Sequence, residues 1–264
     1  MRALLLLALI PLVMWLGQTI MLLIAGRRPQ WRISSDDLPR RFKRINRVLT
    51  NGVFVLVLLG YPLLRGLSPL TYYTSFLPCD IRVCDSLYGA AAATLYLTLL
   101  YLAWTLTDNV RLEIRHSPAR LLQRWAGVPF TAILVAFVEE LLFRAMLLAD
   151  LLQTCPAWLA LAIGVLIFAG AHYVRRVKRY WTFPGHLALG LLFCMAFYLT
   201  GTLWLSLGLH AGGVLVLMVL RPCVRYRGPA WLVGASIFPY AGIVGVLALL
   251  LLTLNLYLTY GGAS

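Results

Sequence analysis

The chain has 264 residues, of which 61% are hydrophobic and only 12% charged, whereas about a quarter of the residues in an ordinary soluble domain carry charge. That balance excludes a soluble globular or disordered protein and predicts an all-α integral membrane protein. The formal net charge of +14 does not indicate a nucleic-acid partner, because the basic residues fall in alternate loops, as membrane topology requires.

Apolar runs long enough to cross a hydrocarbon core of ~30 Å occur at roughly 3–25, 49–65, 87–106, 128–149, 157–174, 184–200, 202–220 and 237–258. They predict a polytopic bundle of about eight transmembrane helices in a single domain covering 1–264. The first run follows Arg2 but precedes the strongest basic cluster, which marks an uncleaved anchor rather than a secretory signal. Between 26 and 48 the stretch RRPQWRISSDDLPRRFKRINR has the tryptophan and arginines of an amphipathic segment lying on the membrane surface. Further basic loops follow the third run (Arg111, Arg115, Arg120, Arg124), the fifth (Arg175, Arg176, Lys178, Arg179) and the seventh (Arg221, Arg225, Arg227). By the positive-inside rule these loops are cytoplasmic and both termini lie outside.

Cys79 and Cys84 share the loop between the second and third runs. On the outer side, that pair is either a small disulfide loop or two free thiols, and the location suits a bacterial plasma membrane. Cys155, Cys194 and Cys223 lack the spacing of metal ligands. Pro129 and Pro184 open the fourth and sixth runs, where a missing amide hydrogen costs nothing, and Gly201 breaks the chain between the sixth and seventh.

The informative residues are the ionisable ones at membrane depth. Two of the chain's three glutamates, Glu139 and Glu140, lie with Arg144 in the segment VEELLFRAML, and each charged residue at a helix centre costs ~2.5–3.5 kcal/mol to insert. Glu140 and Arg144 are four apart and can pair, while Glu139 is turned about 100° away and is left free. His172 sits near the end of the fifth run, His210 within the seventh and His186 at the edge of the sixth; His116 is a loop residue. Glycine and alanine flank His172 (FAGAHY) and His210 (LGLHAGG), which lets helices approach closely and leaves room beside the imidazoles. Any one of these residues fits a packing role; a spare carboxylate with two histidines on neighbouring spans points to a chemical site.

These residues resemble the motifs of the CPBP family, the CAAX-processing and bacteriocin-immunity (Abi) intramembrane proteases. Glu139-Glu140-Leu141-Leu142-Phe143-Arg144 is similar to the family's EExxxR motif, Phe168-Ala169-Gly170-Ala171-His172 to FxxxH, and TGTLWLSLGLH ending at His210 to the third motif. The resemblance covers about 128–220. It implies an endopeptidase in which Glu139 and His172 activate water, Arg144 fixes the glutamate pair and His210 stabilises the oxyanion, with a membrane-associated protein or peptide as substrate. Many members carry Asn or Asp four residues after the last histidine, where this chain has Val214. No cofactor is needed for that chemistry, although Glu139, His172 and His210 also compose a His₂Glu set for zinc. Buried Glu, Arg and His equally mark proton relays. A non-enzymatic membrane protein, either a peptide-binding immunity or scaffold protein or a proton-coupled transporter element, is the competing reading.

Overall fold

The computed structural model describes all residues except 1, 32, 35–37, 115, 175–179, 236–237 and 264. Six of the basic loop residues counted above, Arg32, Arg115, Arg175, Arg176, Lys178 and Arg179, lie outside the described residues. Among the described residues helices predominate, with one small two-stranded sheet. In order, α1 is Arg2–Ile24, α2 Arg40–Leu64, α3 Pro69–Thr74 and α4 Cys84–Leu106. A short strand, β1 (Val110–Leu112), precedes α5 (Pro118–Ala126) and α6 (Val128–Glu140). A π-helical segment, Leu141–Leu148, joins α6 to α7 (Ala149–Leu152). Then come α8 (Ala157–Ala171), α9 (Phe183–Thr200), α10 (Trp204–Leu220), β2 (Val224–Tyr226), α11 (Ala230–Val233) and α12 (Ile243–Tyr260).

Six helices among the described residues are long and apolar enough to cross a membrane: Arg2–Ile24, Arg40–Leu64, Ile81–Leu106, Tyr180–Thr200, Trp204–Cys223 and Ile243–Tyr260. The other two expected spans differ in build. The fourth is a composite of α6, the π segment and α7, and the fifth is the 15-residue α8, only about 22 Å long at 1.5 Å per residue. Leucine and isoleucine side chains stand exposed along α1, α2 and α12, among them Leu5, Leu12, Ile20, Leu56, Leu63, Leu251 and Leu258. Such a surface is stable only against lipid, and the protein is a multi-pass membrane protein.

Hydrogen bonds place alternate helix ends together. At one end Arg2 Nη1 donates to the Leu64 carbonyl, Tyr61 Oη to Asp150 Oδ1, Trp204 Nε1 to the Pro78 carbonyl and Tyr260 Oη to Asp85 Oδ1. At the other, β1 pairs antiparallel with β2, Val110 opposite Tyr226, and Arg227 reaches Asp108 Oδ2 at 3.3 Å. The sequence predicts no strands here, because each is only three residues long and carries no usable alternation.

One expectation is corrected, and one left open is resolved. The second helix begins at Arg40, not near 49, so the basic run RRFKRINR forms its first turns; before it, Ser34 N donates to Gln18 Oε1 and Trp31 stacks on Trp15, both partners lying on α1. Cys79 and Cys84 are both free and exposed.

The core centres on the π segment, in which all eight residues are buried. A π turn takes in an extra residue and leaves weaker backbone hydrogen bonding, and it recurs at functional sites. Here Tyr72 Oη donates to the Ala145 carbonyl at 2.7 Å, pinning the segment from outside its own helix. α10 packs on α4 through glycines: a Cβ at Gly208 would collide with the Ser86 carbonyl, and one at Gly212 would sit 2.8 Å from Ala90 Cα.

Candidate active site

α6 ends in adjacent glutamates that diverge. Glu140 is fully buried, and Glu139 keeps 31% of its side chain exposed. Glu139 faces a cavity of about 180 Å³ that α4, α6, α8, α9, α10 and α12 enclose, with His172 and His210 in its wall and Val214 beside them. Glycines divide their work in LGLHAGG: Gly208 and Gly212 meet α4, while Gly213 lines the cavity and has nothing within 4 Å of a Cβ position.

Glu140 is the anchor. Its Oε1 accepts from Arg144 Nη1 at 3.2 Å and from His210 Nδ1 at 2.8 Å. Arg144 is wholly buried, and its Nε and Nη2 have no hydrogen-bond partner. Aromatic rings cover it instead: the guanidinium carbon lies 4.5 Å from the centroid of Phe168 and 5.2 Å from that of Phe193. A desolvated cation over aromatic faces gains up to about 2 kcal/mol from each favourable contact. An ion pair and two phenyl faces together explain how an arginine is held inside this bundle.

His210 sits between the two glutamates. With Nδ1–H given to Glu140, its Nε2 faces Glu139 Oε2 at 3.7 Å, and its ring stacks on Phe193 with centroids 4.8 Å apart. Phe193 thus touches both the buried cation and the imidazole. His172 donates Nδ1–H to the Phe168 carbonyl at 2.9 Å, which leaves its Nε2 as an acceptor for the cavity. The sequence places Arg144 with the glutamate pair, and it does contact Glu140. It gives no sign that His210 contacts both carboxylates, because the link joins helices 70 residues apart.

Three further residues bear on the site, two of them without a local sequence signal. His186 is buried, lies against His172 with ring centroids 4.5 Å apart and planes tilted by 41°, donates Nδ1–H to the Thr182 carbonyl and accepts at Nε2 from Tyr240 Oη at 3.3 Å. Tyr240 itself lines the cavity. Position 186 was visible as a histidine at a span edge, but Tyr240 and Phe193 carry no local signal. Among the described residues no three His, Cys, Asp or Glu side chains stand close enough to form a metal-ligand set, although the Nδ1 bonds of His210 to Glu140 and of His172 to the Phe168 carbonyl leave both Nε2 atoms turned to the cavity.

No curated protein and no solved structure matches the chain. A family model does: residues 121–216 match the one described as Rce1-like, Type II CAAX prenyl endopeptidase Rce1-like. Glu139, Glu140, Arg144, His172 and His210 all lie inside the matched stretch, which is Rce1-like in sequence and agrees with the CAAX-protease family that its motifs resemble.

Proposed function

We propose that the protein is an intramembrane endopeptidase that hydrolyses a peptide bond near the C-terminus of a lipidated, membrane-associated substrate. The observation that carries this reading is the sharing of one small cavity by Glu139, His172 and His210, within the segment that matches the Rce1-like model. Glu139 takes a proton from water, and His172 Nε2 accepts the water's second hydrogen as a hydrogen bond. The water oxygen attacks the carbonyl, and the developing oxyanion is met by a His210 protonated on both nitrogens, which keeps Nδ1–H on Glu140 and offers Nε2–H to the cavity. Collapse breaks the C–N bond, and Glu139 returns its proton to the leaving amine. Two carboxylates are then balanced by one guanidinium and one imidazolium. No second oxyanion donor comes from Val214.

A cavity of about 180 Å³ is smaller than the ~300–1,000 Å³ of a usual small-molecule pocket. That size suits an extended stretch of backbone, with the lipid chain left in the bilayer beside the exposed leucines. We place the protein in a bacterial plasma membrane with both termini outside. The test is to reconstitute the purified chain in liposomes with a farnesylated peptide ending in Cys-a-a-X. Release of the C-terminal fragment is expected, with little from the unprenylated peptide; binding without cleavage by an intact, monodisperse protein would transfer the site to a scaffold or immunity role.

A further inference from the structure

A larger recess of about 650 Å³ opens at the other end of the seam between α6 and α10. Its rim carries Arg124, Arg221, Arg225 and His116; its floor is apolar, with Val128, Met218 and Val224. The cations here differ from their neighbours. Arg111 and Arg227 both bond Asp108, at 3.1 and 3.3 Å. Arg225 has a long contact to Glu113 at 3.7 Å. Among the described residues Arg221 contacts no carboxylate, and Arg124 donates only to His116 Nε2, at 2.8 Å. Three guanidiniums therefore line one apolar recess, and among the described residues the carboxylate they contact is that of Glu113.

We propose that this recess binds the phosphate headgroup of an anionic phospholipid. Charge complementarity selects an anion, and guanidinium forks match phosphate oxygens. The surroundings select a lipid. The recess lies at a helix end, where α5 is held to α10 by Trp125 Nε1 donating to the Val219 carbonyl. Leu122 and Phe130, 69% and 73% exposed, belong to the apolar outer surface of α5 and α6 at this same end of the bundle, where acyl chains would lie. Basic pockets of this kind between transmembrane helices hold anionic headgroups. A substrate's terminal carboxylate fits less well: Val128 lies eleven residues from Glu139, about 16 Å along the helix, whereas three extended residues reach only about 10 Å. The site does not depend on the proteolytic reading.

The experiment measures binding to the full chain in a neutral detergent by native mass spectrometry and thermal shift, using dioctanoyl phosphatidylglycerol, dioctanoyl phosphatidylcholine and inorganic phosphate as probes. Phosphatidylglycerol should bind at one per chain, weaken with salt and exceed phosphatidylcholine at least tenfold. Arg124→Gln with Arg221→Gln should lose at least tenfold, while Arg40→Gln with Arg44→Gln, the same charge change on exposed residues of α2, should lose less than twofold. Met218→Trp, which fills the floor without altering charge, should also lose at least tenfold and keeps the test decisive if the arginine variant fails to fold. Equal losses in both arginine pairs, equal affinity for phosphatidylcholine, or inorganic phosphate binding as tightly as the lipid would each overturn the proposal.

Discussion

Replacing Glu140 with glutamine leaves the shape of the side chain and removes the charge that holds Arg144. The two charged atoms are 3.2 Å apart, with side-chain exposures of 0% for Arg144 and 1% for Glu140. Coulomb attraction at that distance is about 5 kcal/mol with an effective dielectric of about 20. The glutamine oxygen can keep one hydrogen bond, and the faces of Phe168 and Phe193 still cover the guanidinium, so the loss should fall at about 3–5 kcal/mol, the usual range for stranding one member of a buried pair. Denaturant titration in mixed micelles, followed by tryptophan fluorescence, reads this directly. Removing Arg144 as well, in Glu140→Gln with Arg144→Met, should recover at least half of it, because no uncompensated charge is left. A single Glu140→Gln variant within about 1 kcal/mol of the parent, or a double variant no better than the single, would refute the assignment of Glu140 as the partner that makes Arg144 tolerable.

Other outcomes follow from the same geometry. Gly208→Ala should destabilise the bundle by about 1–3 kcal/mol, as overpacking does, since the methyl meets the Ser86 backbone; Gly213→Leu should leave stability nearly unchanged and block turnover by filling the cavity, and the two are separated by measuring melting and cleavage on the same samples. The carboxyl of Asp108 is held below the ordinary aspartate range by its bond to Arg111 and then by Arg227. Its contribution to the β1–β2 clasp is therefore complete above the usual aspartate pKa and is lost as pH falls through the depressed value, so hydrogen exchange at 110–112 and 224–226 should accelerate only in strong acid. Cleavage should survive strong chelators. If chelation stops it and zinc restores it, Glu139, His172 and His210 must move together as ligands, and the water-activating roles given to them are wrong.

Hydropathy and three short motifs made the membrane class and the Glu140–Arg144 pair legible, because both are local: a run of apolar residues and two residues one turn apart. What was hidden depends on departures from ideal periodicity or on contacts between distant helices. The π segment looks like ordinary helix in sequence, since no residue in LLFRAML announces the extra residue per turn; the carbonyl that Tyr72 binds belongs to a helix 73 residues away. Phe193 reads as one more apolar residue of α9, yet it lies against both His210 and Arg144. The early start of α2 was missed because apolar length, rather than helix length, was used to place it, and charged first turns are invisible to that criterion.

The central claim is that Glu139 is the base. Its most direct test is the single-turnover rate of Glu139→Gln against the parent chain, on a farnesylated Cys-a-a-X peptide in liposomes, with peptide affinity and melting measured in parallel. The account predicts a rate lowered by about 10²–10⁴, the worth of a positioned general base, with affinity and melting unchanged. A loss of tenfold or less, or a loss matched by Glu140→Gln in a variant that stays folded, would contradict it.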